Sequence, residues 1–114
     1  IHRYALESAL ASECAADQGK FWEFVDIDFE RQADMTVDNL IAWGKEVVAD
    51  DDLFERCFKT QIKKETILAD YREGRDLGVT GTPGFFVNGE KVETGLDTIS
   101  AAIDAALDGV TQRL

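Results

Sequence analysis

One proline, Pro83, constrains this chain more than any other residue. It stands in "GVTGTPGFFVNGEKV", residues 78–92, directly before "GFFV", a run that reads as a strand. Roughly five or six prolines would be usual in a chain of 114 residues, so the position of a lone one carries weight. Proline gives no N–H to a ladder, and within sheets it is confined to an edge or to a strand's first residue. Pro83 therefore marks the mouth of a strand. Asn88-Gly89, between "GFFV" and "KVET", is the strongest short signal for a type I′ hairpin.

The rest of the chain is helical in pattern. In "HRYALESALASECAADQG" the residues Leu6, Leu10 and Cys14 recur four apart, with Ala9 beside them, and Gly19 offers a stop. "KFWEFVDIDFERQ" continues with Phe21, Phe24 or Val25, and Asp28 or Phe29 recurring at helical spacing around Trp22. A loop, "ADM", leads to Thr36, a good N-cap for "VDNLIAWGKEVV". One of Asp50, Asp51 and Asp52 is expected to cap "LFERCFK"; the three lack the spaced oxygens and later Glu of an EF-hand loop. "QIKKETILADYREGRDLG" closes at Gly78, and after the hairpin "LDTISAAIDAALDG" returns to helix, with Asp97 or Thr98 as cap and Ile99, Ile103, Ala106 and Leu107 turned inward. Five helices, a hairpin and a last helix follow one another. Two strands alone make a marginal sheet, and the apolar faces of "FFV" and the last helix call for more strands than these residues contain.

Composition narrows the function. With 45% hydrophobic residues the chain can fill a core, and no apolar run is long enough to span a bilayer. Its net charge of −11 argues against nucleic acid and against anionic membrane surfaces, both of which reward clustered Lys and Arg. His2 is the sole histidine and reads as a helix-start residue; with no ligand-spaced partners, neither a metal nor a cofactor is expected. Glu23, Asp26 and Glu30 share a helix face that reads as solvated.

Several stretches resemble the DsbA-like protein-disulfide oxidoreductases of the thioredoxin fold. "GV-x-GTP-x-FFVNG" is similar to that family's cis-proline loop, strand and hairpin, and "IHRYALESALASECAADQGKFWEF" to the start of its helical insertion. "LFERCF" and "REGRDLGV" fit its later helices. The resemblance covers nearly the whole chain. It implies an α+β fold of DsbA type, with a helical insertion over 1–78 and the C-terminal ββα part over 79–114. It implies a cis Thr82–Pro83 bond, with Gly81, Thr82 and Pro83 forming the loop on which a substrate's extended backbone pairs by β-augmentation. One departure is Gly84, where the family carries a bulkier residue. "FWE" is expected to pack the insertion on the thioredoxin core, and Trp22 and Trp43 read as core anchors.

The family's reactive centre is a Cys-x-x-Cys at a helix start, where the helix N-terminus stabilises a thiolate. No such motif occurs here, so no catalytic residue is assigned in the chain; the family places it upstream, before residue 1. The two cysteines, Cys14 and Cys57, sit on apolar faces of different helices. The residues leave open free buried thiols, a structural disulfide or a redox pair; paired cysteines in DsbA-like relatives imply the disulfide, which suits an oxidising compartment.

The parent is therefore expected to be a periplasmic or extracellular thiol-disulfide oxidoreductase, with its signal peptide absent from this chain. It would act on cysteine-containing protein substrates and with a redox partner protein, and the piece alone is expected to be inactive. The alternatives are a non-catalytic peptide-binding or assembly module of the same fold, and a kappa-type glutathione transferase or isomerase, which shares the insertion. A fragment missing strands is also expected to pair with a second copy through its exposed sheet edge.

Overall fold

The structure, a computed structural model, describes residues 2–113, with side chains through Val110; Ile1 and Leu114, the outer ends of the two expected domains, lie outside the described residues. The elements are α1 (Ala5–Ala16), α2 (Phe21–Glu30), a 3-10 turn (Gln32–Asp34), α3 (Val37–Val47), α4 (Asp51–Lys59), α5 (Lys64–Asp76), β1 (Phe85–Val87), β2 (Glu90–Val92) and α6 (Leu96–Arg113). Packing divides them into two compact units, Ile1–Tyr71 and Arg72–Leu114, with the division inside α5. The helical pattern of the sequence runs on to Gly78.

The first unit is built on small and aromatic residues. Ala11 and Ala15 of α1 are fully buried, and their bare surfaces let α2, α3 and α4 come close. Into that space go Leu10, Phe24, Leu40 and Phe54, each 0–1% exposed, flanked by Trp43, Val48 and Phe58. The Phe24 and Phe54 rings meet with centroids 6.2 Å apart, a tilted aromatic contact. A Cβ at Gly44 would fall inside the Phe54 ring, so a helix-weakening glycine is kept in α3 for room.

Helix ends explain the chain's turns. Thr36 Oγ1 accepts from the Asn39 N–H at 3.0 Å and starts α3. Asp50 Oδ1 accepts from the Leu53 N–H at 3.0 Å and starts α4, with Asp51 and Asp52 in the favourable first turn and Arg56 and Lys59 in the last. The Gln18 side chain clasps the Asp50 backbone twice, donating to its carbonyl at 3.0 Å and accepting its N–H at 2.9 Å. That clasp holds the α1–α2 link against the start of α4.

The second unit is a hairpin with a helix. Phe85 pairs with Val92, Phe86 with Lys91 and Val87 with Glu90, antiparallel. Asn88 and Gly89 have φ of 49° and 83°, both in the left-handed region that a type I′ turn requires. α6 packs on both strands.

Several expectations change on contact with the structure. Trp43 is buried as expected, but Trp22 is 71% exposed and is not a core anchor within this chain. Ile103 and Leu107, expected inward, are 44% and 59% exposed. The helix after the hairpin begins at Leu96, ahead of both residues expected to cap it; Thr98 instead donates its hydroxyl back to the carbonyls of Glu93 and Gly95. The "ADM" loop overlaps a 3-10 turn.

Candidate functional site

The site expected around Pro83 lies wholly in the second unit. Residue 78 ends the helical segment with φ of 86°, a conformation that glycine adopts at no steric cost. The chain then crosses residues 79–84 and enters β1. Two side chains from the far side of the hairpin fasten this crossing. Lys91 Nζ donates to the Gly78 carbonyl at 2.8 Å, and Thr94 Oγ1 donates to the Pro83 carbonyl at 3.5 Å. Register makes this possible, because Lys91 sits opposite Phe86 and Thr94 lies just beyond β2.

Within this frame the Thr82–Pro83 bond is cis. Gly81, Thr82, Pro83 and Gly84 are all exposed. Among the described residues, nothing hydrogen-bonds the backbone N–H or C=O of Gly81 or Thr82. Backbone polar groups are normally paired or solvated, so these two residues present free donors and acceptors at the surface. A hollow of about 330 Å³ adjoins them, walled by Val79, Thr80, Phe85 and Val92. Chemically, the arrangement offers unpaired backbone groups beside a hollow of mixed lining, apolar at Val79, Phe85 and Val92 and polar or charged at Thr80, Lys91 and Glu93.

The departure at Gly84 has a local answer. A Cβ there would meet the Gly81 carbonyl oxygen at 3.6 Å and Val79 Cγ1 at 3.9 Å, ordinary contacts. A bulkier residue has room for its first carbon, so close packing is not why glycine stands at 84.

The cysteines lie in the other unit. Cys14 of α1 and Cys57 of α4 are joined as a disulfide with Cα atoms 5.8 Å apart, and no free cysteine is found. Cys14 is buried in the core, so this bridge is part of the packing. Neither sulfur is a thiol able to attack a substrate. Glu23, Asp26 and Glu30 are exposed along α2, and His2 precedes α1, its carbonyl accepting the Ala5 N–H. Among the described residues no cluster of His, Cys, Asp or Glu could hold a metal ion.

Three comparisons place the chain among known proteins. The family model described as thioredoxin matches residues 1–105. A Na(+)/H(+) antiporter NhaA 1 of Salinispora arenicola is 34% identical over 99% of this chain and 18% of its own length. A Na(+)/H(+) antiporter NhaA of Herminiimonas arsenicoxydans is 31% identical over 95% of this chain and 18% of its own. A Rickettsia typhi protein provisionally named a protein-disulfide oxidoreductase is 28% identical over 94% of this chain and 42% of its own. The chain thus spans less than half the length of these relatives. No solved structure matches significantly.

Proposed function

Since the chain belongs to the thioredoxin family, with a thioredoxin-like α+β fold, we propose that it is the client-docking and helical part of a DsbA-like thiol-disulfide oxidoreductase. The observation that carries this is the family match running without a break from α1 through the loop of Gly81, Thr82 and Pro83. The provisional name of the Rickettsia relative points the same way.

The division of labour follows from the chain's own residues. An extended segment of a cysteine-containing client pairs with the exposed backbone of Gly81 and Thr82, while its side chains meet Val79 and Phe85. Lys91 and Thr94 hold the loop in place. The exchanging thiols come from a cysteine pair outside these 114 residues, because the chain's two cysteines are bonded to each other. That disulfide suits a periplasmic or extracellular setting, where such bonds persist.

The antiporter-named relatives share a segment that is 18% of their length. No helix among the described residues is long and apolar enough to cross a membrane.

Docking can be tested apart from chemistry. In an NMR titration of the chain with S-carboxymethylated insulin B chain, the amides of Gly81, Thr82 and Gly84 should shift and saturate. Shifts confined to residues 2–71, or none at millimolar peptide, would overturn the docking site. Insulin reduction by the 114-residue chain alone should be absent, and turnover would contradict the assignment of the thiols.

A further inference from the structure

Two charged residues, Lys91 and Glu93, line the hollow beside Gly81, Thr82 and Pro83, and their situations differ. Lys91 donates from Nζ to the Gly78 carbonyl at 2.8 Å. That carbonyl lies just past the C-terminal end of α5, where the helix dipole offers negative partial charge to a cation. Glu93 has no such counterpart. Its backbone carbonyl accepts the Thr98 hydroxyl at 2.7 Å, but its exposed carboxylate makes no hydrogen bond or ion pair among the described residues. Register leaves this acid within reach of the loop. One pair beyond Phe85 and Val92, Glu93 falls opposite Gly84, which has no side chain to cover it. The nearest atom that a Cβ at 84 would meet is the Gly81 carbonyl oxygen at 3.6 Å, so glycine leaves open space there.

The chemistry of a docked side chain can be narrowed. An acidic one would face Glu93 in a chain of net charge −11. An apolar one would cover Val79, Phe85 and Val92 and leave the carboxylate unmatched. Arginine answers both needs, since its methylene stem lies along apolar walls while its planar guanidinium turns paired N–H donors to a carboxylate. Lysine brings the charge without the fork. Resting on the docking reading of this loop, we propose that it prefers client segments carrying a basic residue, arginine above lysine, and that Glu93 is the residue that reads the charge.

The test is a ¹H–¹⁵N titration of the full chain with three acetylated, amidated octapeptides of alternating valine and threonine. They differ at one central position, which is arginine, norleucine or glutamate. All three should shift the amides of Gly81, Thr82 and Gly84, with the arginine peptide about threefold tighter than the norleucine peptide and the glutamate peptide about threefold weaker. The spread should shrink in about 1 M NaCl, where screening is strong. Glu93 is exposed, so its substitution spares the fold. Glu93→Gln should bring the arginine peptide down to the norleucine value and leave norleucine unchanged, and Glu93→Lys should place the glutamate peptide first. Equal affinities of the three peptides at these amides would overturn the charge preference and leave the docking loop standing. A preference for arginine that survives Glu93→Gln would overturn the role of Glu93. Absence of shifts at Gly81, Thr82 and Gly84 with every peptide would overturn the docking reading and the preference with it.

Discussion

The two units differ in how they bury residues. Every residue that is buried in the described chain lies between Leu10 and Phe58, in the unit that also holds the disulfide. From Lys59 to Val110 no described side chain is buried, yet this stretch carries the loop of Gly81, Thr82 and Pro83. Leu96 at 82% and Val110 at 52% exposure show how open α6 is. Stability and the proposed docking surface thus reside in different parts of one chain. Binding surfaces are commonly drawn from segments with few buried contacts, because a loop must keep its backbone groups available to a partner.

The contrast can be broken first by core deletion. Phe54→Ala empties a fully buried site and should cost about 3–5 kcal/mol in urea unfolding, whereas Leu96→Ala should stay within about 0.5 kcal/mol. Comparable losses at the two positions would erase the distinction. Removing the Cys14–Cys57 bridge by paired serine substitution frees a loop with a sequence separation of 43 residues. The chain-entropy relation puts that loss at about 3–4 kcal/mol, to be read as a lowered denaturation midpoint.

A smaller effect sharpens the packing claim. Gly44→Ala drives a methyl into the Phe54 ring and should destabilise by about 1–3 kcal/mol, although alanine is the better helix former. A stabilised variant would show that the α3–α4 contact has slack. Smallest of all is the effect of Asp28. Burial holds its carboxyl above the ordinary carboxylate range, with the Ser8 hydrogen bond pulling the other way. The folded state therefore binds this proton more tightly than the unfolded chain, and stability is lost as pH rises through the raised value. Asp28→Asn should be the more stable protein at neutral pH, and the advantage should vanish in acid below the ordinary carboxylate range. An advantage that persists there would point to a cause other than charge.

Local chemistry is what the sequence made legible. Asn88-Gly89 took the two positive φ values its turn requires, and Thr36 and Asp50 capped the helices they precede. The pairing of Cys14 with Cys57 came with the family resemblance; spacing alone left it open. Long-range facts were harder to read. Periodicity announces that a helix has an apolar face without saying what covers it, which is why Trp22, Ile103 and Leu107 were expected inward and are exposed. Asp28 and Phe29 share one position of the helical pattern, and the structure buries the acid and exposes the ring, the reverse of what side-chain polarity favours. The acid's spacing of four from the fully buried Phe24 was the available signal. The room left for a larger residue at 84 could come only from the backbone.

Amide hydrogen exchange on the intact chain tests the division most directly. Amides of α1, α3 and α4 near Leu10, Leu40 and Phe54 should exchange about a hundredfold more slowly than those of Phe85–Val92, and reduction of the disulfide should erase much of that protection. Hairpin amides as slow as those of the helical core would contradict it.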